Sequence, residues 1–164
     1  MRTLILSFWK LLPLVLLVAT PALAYDYGIG DLSLDHPWAR ATPPVAPVAG
    51  GYVTIVNGGR APDRLLAVTS PIAERIEVHE STTVDGVARM RPVDGLVIAP
   101  GETIVLKPGS LHLMFLKPTG PLRQGERFPA TFVFEKAGAV AVEFTVQGMG
   151  ASDPGDAEHG APQQ

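Results

Sequence analysis

Leu111-His112-Leu113-Met114-Phe115-Leu116 alternates large apolar residues with a histidine and a methionine. That period of two is the signature of a half-buried β-strand. Leu111, Leu113 and Phe115 share one face of such a strand, and His112 and Met114 share the other. At about 3.4 Å of rise per residue, the two side chains of the second pair stand about 7 Å apart. An imidazole and a thioether at that spacing can reach one small ion, provided other elements complete its shell.

Further donors lie upstream at matching positions. In Arg75-Ile76-Glu77-Val78-His79, parity turns Ile76 and Val78 inward and Glu77 and His79 outward. Met90 alternates with Arg89 and Arg91. Ten residues separate His79 from Met90, twenty-one separate Met90 from His112, and one separates His112 from Met114. The chain has no cysteine and only four methionines, one of them the initiator. Two nitrogens and two thioethers, with no thiolate, suit Cu(I) better than zinc, calcium or magnesium and disfavour Cu(II). Only neutral imidazole is a ligand, so such a site weakens as pH falls below the ordinary histidine range near ~6.5. Glu77 and Glu80 flank His79, and either can fix its ring by a hydrogen bond or serve as plain surface charge.

The same alternation extends to the rest of the chain. Leu32 to Ala41 reads as an opening strand broken at Pro37, followed by a loop over 42–51 carrying Pro43, Pro44 and Pro47. Further strands are expected at Tyr52 to Val56, Arg64 to Thr69, Arg75 to His79, around Met90, Thr103 to Leu106, Leu111 to Leu116, Phe128 to Phe134 and Ala139 to Val146. Asn57-Gly58-Gly59 and Asp85-Gly86 are turns, and one helical turn is expected at Pro71 to Glu74. Turn signals recur roughly every 8–12 residues without a sustained helical period, which predicts an all-β sandwich or small barrel. His36 and Trp38 read as structural, Trp38 as a core or edge aromatic rather than a neighbour of the metal. There is no internal repeat.

Both ends of the chain read differently from this middle. Arg2 and Lys10, an apolar run over Leu11 to Ala19 and the small-residue pattern Ala22-Leu23-Ala24 form a secretory signal peptide over 1–24, cleaved after Ala24. The remaining 140 residues carry 11 basic and 16 acidic side chains, a formal charge of −5. That balance argues against nucleic acid and offers no basic patch for a membrane surface. The expected organisation is a single domain over 25–147 and a disordered tail over 148–164, rich in Gly, Pro, Asp, Ala and Gln. With no cysteine to form disulfides or accept a lipid, the mature chain is expected free in an oxidising compartment, held by its core alone.

Pro37-Trp38-Ala39-Arg40-Ala41-Thr42-Pro43-Pro44, Gly51-Tyr52-Val53-Thr54-Ile55-Val56-Asn57-Gly58-Gly59 and Asp63-Arg64-Leu65 resemble the PCuAC family of periplasmic copper chaperones. So do Val78-His79-Glu80, Met90-Arg91-Pro92-Val93, Leu106 to Met114 and Phe134-Glu135-Lys136-Ala137-Gly138. The family motif, a His, ten residues, a Met, twenty-one residues and His-x-Met, is reproduced by His79, Met90, His112 and Met114 without a gap. The likeness runs from about Asp35 to Val146. It implies a cupredoxin-like β-sandwich or barrel of Greek-key type that binds one Cu(I) at these four side chains. It further implies a periplasmic role in assembling the CuA centre of cytochrome c oxidase, with subunit II or a Sco-type thiol protein as partner. Some members carry a Met- and His-rich tail for a second copper, whereas this tail offers only Met149 and His159. The start Tyr25-Asp26-Tyr27 lacks a third-position histidine for a free-amine Cu(II) clamp.

Enzyme classes find no support in the motifs: there is no Gly-rich phosphate loop, nucleophile elbow or HExxH. A blue-copper electron carrier requires a cysteine thiolate. Two other readings stay open at this point, a metal-independent exported interaction module and a copper storage or tolerance protein.

Overall fold

A computed structural model describes residues 26–154, and the expected signal peptide and His159 lie outside them. The described residues form eleven strands and no helix. They are β1 (Asp26–Ile29), β2 (Leu32–Arg40), β3 (Val48–Asn57), β4 (Asp63–Thr69), β5 (Ala73–Val84), β6 (Val87–Pro92), β7 (Leu96–Ile98), β8 (Thr103–Leu106), β9 (Leu111–Pro118), β10 (Arg127–Phe134) and β11 (Gly138–Gln147). They join in one sheet, ordered β6-β5-β9-β3-β2-β11-β10-β4-β7, with β1 on β2 and β8 on β3. The edges β6 and β7 do not pair with each other, so the sheet wraps around its core without closing into a barrel.

Divided strands make that wrapping possible. Residues 48–51 of β3 pair with β9, and residues 53–56 pair with β8. On β2 the register with β3 shifts between Asp35 and Trp38, where His36 takes a φ of 51°. Past this bulge the strand runs parallel to β11 through Trp38, Ala39 and Arg40. The break expected at Pro37 is therefore a bulge within one strand.

Strand β3 starts at Val48 rather than Tyr52, so the expected loop over 42–51 is shorter. The reason lies at two glycines. A Cβ on Gly51 would stand 2.3 Å from the Phe115 ring, and one on Gly50 would stand 2.6 Å from the Tyr52 hydroxyl. Strand pairing here depends on bare backbone over which those rings lie. The expected helical turn over Pro71 to Glu74 is a plain turn from which β5 departs at Ala73. Strands β1 and β7 add short pieces with weak sequence signals.

The core fills one face of the sheet. Leu34, Ile55, Ile98, Leu113, Phe115, Phe132 and Phe144 have no exposure at all. The Phe128 and Phe144 rings stack at 5.3 Å, and Phe115 meets Phe144 edge-on at 5.8 Å. Two buried polar groups fasten the loops. Asn57 donates to the Ala61 and Ile98 carbonyls and accepts from Gly59 N–H. Asp63 accepts from the backbone N–H groups of Arg64, Lys136 and Ala137 at 2.7, 3.0 and 2.9 Å. Burial pushes the Asp63 carboxyl upward, but these three donors and the Lys136 charge outweigh it and hold the group below its ordinary range.

Candidate metal centre

The four donors identified in the sequence project from one face of the β6–β5–β9–β3 region, the face away from the aromatic core. Directly opposed residues of antiparallel strands point to the same side. His79 of β5 opposes His112 of β9, and Glu77 opposes Met114. Ser81 of β5 opposes Met90 of β6, which puts Met90 on the His79 side, one pair further along. Across the next strand, Gly50 of β3 opposes Met114, and the Tyr52 hydroxyl lies over its bare backbone. On the opposite face, Leu113 and Phe115 enter the core while Ile76, Val78 and Leu111 pack against it, as parity required.

Exposure separates the donors. His112 is 7% exposed and the His79 side chain 13%, while Met114 is half-buried and Met90 is 60% exposed. Of the four, only Met90 is largely exposed. Burial follows position in the sheet: β5 and β9 lie in its order between β6 and β3, whereas β6 is an edge strand.

Each imidazole is held through one nitrogen. His112 Nδ1 lies 2.9 Å from the Ser110 carbonyl, which can only accept, so Nδ1 carries the hydrogen and the Nε2 lone pair is left over. His79 Nε2 lies 2.8 Å from Glu77 Oε2. The His79 Nδ1 atom is buried and has no hydrogen-bond partner. Leaving such a group unpaired costs about 1–3 kcal/mol, a cost that a bound metal would offset. The two rings face each other at 6.1 Å between centroids, tilted by 49°. Glu77 sits below its ordinary carboxyl value, chiefly through the hydrogen bond from His79 and further through the Arg75 charge. Among the described residues no group of three His, Cys, Asp or Glu is placed to hold a metal ion.

Glu80, the other flanking carboxylate, points to the opposite face and pairs with Arg91 at 2.8 Å. Of the two carboxylates offered by the sequence, Glu77 is the one that holds a ring. Sequence reasoning missed the Ser110 carbonyl because a main-chain acceptor has no residue signature. It also passed over Gly50, whose only hint was the paired glycine at 50–51.

Trp38 is buried, as expected of a core or edge aromatic, but in a small cluster of its own with Tyr52 and Ala151. The Trp38 and Tyr52 rings lie 4.4 Å apart on the face shared with Gly50. Burial raises the Tyr52 hydroxyl, partly offset by Arg40. Residues 148–154 lie over this cluster, secured by Arg40 donating to the Ala151 carbonyl at 2.7 Å and Gln147 donating to the Pro154 carbonyl at 3.0 Å. The beginning of the expected tail is thus seated, with Met149 exposed above it.

An open, all-β, cupredoxin-like sheet with imidazole and thioether donors on its outer face defines a class of small β-domains. The chain belongs to the LpqE-like family, the PCuAC group, whose model, described as "Putative lipoprotein LpqE-like", matches residues 32–146. It is 33% identical over 104 residues to the uncharacterised protein RP573 of Rickettsia prowazekii (strain Madrid E), a match covering 61% of this chain. The match spans 58% of that relative's length. Among solved structures, the copper-bound PCuAC domain from PmoF2 superposes with a TM-score of 0.66 at 27% identity, over 76% of this chain and 98% of that domain. CuI-DR1885 from Deinococcus radiodurans superposes with a TM-score of 0.56 at 27% identity, over 68% and 74% of the two chains. The lipoprotein name of the family agrees with an exported chain.

Proposed function

We propose that this protein is a periplasmic copper chaperone, not an enzyme, in which His79, Met90, His112 and Met114 hold one Cu(I) for delivery to a partner. The observation that carries the reading is the His79–His112 pair: a buried and a largely sheltered imidazole directly opposed across β5 and β9, each with one nitrogen left over. Neutral imidazole and thioether donors favour Cu(I) and add no negative charge. The copper-bound PmoF2 domain and CuI-DR1885, to which this chain is similar, support the same cargo.

Delivery follows from the uneven burial. His79, His112 and Met114 are sheltered, and Met90 is the donor that an incoming ligand can replace first. A partner thiolate or thioether approaching at Met90 enters the copper shell, and the remaining donors leave in turn. The copper is never free during such an exchange. The signal peptide over 1–24 places the chain in the periplasm, and the recipient is the CuA site of cytochrome c oxidase subunit II or a Sco-type thiol protein.

The test is an anaerobic Cu(I) titration of the secreted chain against a chromogenic competing chelator, with the double variant His112→Ala/Met114→Ala alongside. One-to-one binding that disappears in the variant is expected. Failure of the wild type to compete would leave a metal-independent interaction module as the better account. Transfer to a copper-free subunit II domain, read by the colour of the CuA centre, separates delivery from storage.

A further inference from the structure

We propose that Glu77 and the Ser110 carbonyl present copper with two different nitrogens, Nδ1 of His79 and Nε2 of His112. In this arrangement Glu77 is the positioning residue for His79. The inference rests on the copper-carrier reading and deepens it to the level of atoms.

Hydrogen-bond direction carries the argument. A carboxylate only accepts, so the 2.8 Å contact between His79 Nε2 and Glu77 Oε2 requires the hydrogen on Nε2. A neutral ring then has its lone pair on Nδ1, the same atom that is buried without a partner. His112 is held the other way round: its Nδ1 donates to the Ser110 carbonyl at 2.9 Å, and its lone pair is on Nε2. The two rings are directly opposed across the strands, so the opposite tautomers arise from different anchors and not from different positions.

The carboxylate is itself held. Glu77 Oε1 pairs with Arg75 Nε at 2.7 Å while Oε2 takes the His79 hydrogen, so each oxygen has one partner and the group resists rotation. Glu80 does not compete, since it engages Arg91 on the other face. Coordination through His79 Nε2 would require loss of the Glu77 contact and a turn of a ring whose side chain is only 13% exposed. Binding through Nδ1 requires neither. An outer carboxylate also raises the basicity of the coordinating nitrogen, and losing such a partner costs roughly 10–100-fold in metal affinity.

The experiment is long-range nitrogen–proton NMR of the histidine rings, first on the metal-free protein and then with Cu(I). The expected wild-type spectrum has His79 as the Nε2–H tautomer and His112 as the Nδ1–H tautomer. Cu(I) is expected to shift His79 Nδ1 and leave its Nε2–H in place. Glu77→Ala is expected to mix the His79 tautomers and weaken Cu(I) binding by roughly 10-fold or more. Glu77→Gln retains an acceptor oxygen and is expected to restore both the single tautomer and most of the affinity. A wild-type His79 protonated at Nδ1 would overturn the proposal, as would loss of Nε2–H on Cu(I) binding. So would a Glu77→Ala variant with unchanged tautomer and affinity. The metal-free spectrum needs no copper and no variant, so it tests Glu77 even if Glu77→Ala fails to fold. Failure of the wild type to bind Cu(I) would instead sink the carrier reading.

Discussion

Strands β9 and β6 each bring a methionine to the same face of the sheet, yet their settings differ sharply. β9 is flanked by β5 and β3, and its His112 is 7% exposed, with Leu113 and Phe115 locked into the core on the reverse side. β6 is the outer strand of a hairpin paired on one side only, and its Met90 is 60% exposed. A donor on β9 is rigid because the same backbone carries core residues that cannot move independently of it. A donor on β6 has no such tether. On the proposed copper-carrier reading, the contrast is a division of labour in which the interior strands would retain the ion and the edge hairpin would admit the exchanging ligand.

The largest expected effect is on β9. Met114→Ala or His112→Ala should reduce Cu(I) affinity by more than the roughly 100-fold upper range for losing a mere supporting contact. Met114→Ala should cost at most about 1–2 kcal/mol of folding stability, since its side chain lies outside the aromatic core. Chelator competition and thermal unfolding read the two quantities separately, and equal losses in both would erase the division between fold and site.

Met90→Ala comes next. A tenfold or smaller loss of affinity is expected, together with faster release of copper to a competing thiol in stopped-flow. If Met90→Ala abolished binding as fully as Met114→Ala, the distinction between retaining and exchanging donors would collapse.

Gly51→Ala probes the tether itself. The added methyl would collide with Phe115 at 2.3 Å, and overpacking of this kind costs about 1–3 kcal/mol. Denaturant unfolding should detect that loss, and copper affinity should decline only once the folded fraction declines.

The smallest effect lies far from the site, at Asp63. Its folded carboxyl sits below the ordinary value of 3.8, so it binds its proton less readily folded than unfolded. The resulting stabilisation is complete above that value and is lost as pH falls through the lower folded value. Asp63→Asn should therefore flatten the acid limb of a stability-against-pH curve below about pH 4 and leave Cu(I) binding at neutral pH unchanged. A parallel acid limb in wild type and variant would show that other carboxylates dominate there.

Much of the fold was legible because strand signals are local. The predicted strand Thr103 to Leu106 matches β8 residue for residue. Asp85-Gly86 forms the expected hairpin turn, with φ angles of 51° and 77° that few residues other than glycine, asparagine and aspartate accept. Parity placed His112 and Met114 opposite Leu113 and Phe115, since alternation is built into the extended backbone. The early start of β3 was hidden because Gly50 and Gly51 read as loop, and only the rings of Tyr52 and Phe115 give their bareness a purpose.

The sequence by itself determined the donor types, their spacing and the face of each strand on which they stand, because side-chain chemistry and a period of two are properties of the chain. It also excluded a thiolate site, for want of cysteine. Tertiary structure alone decided that His79 opposes His112, that both are sheltered, and that Met90 stays open. It alone assigned Glu77 rather than Glu80 to the histidine ring and supplied the Ser110 carbonyl to the other. Register, sheet order and edge position arise from pairing between strands distant in sequence, and no local pattern encodes which strand will lie next to which.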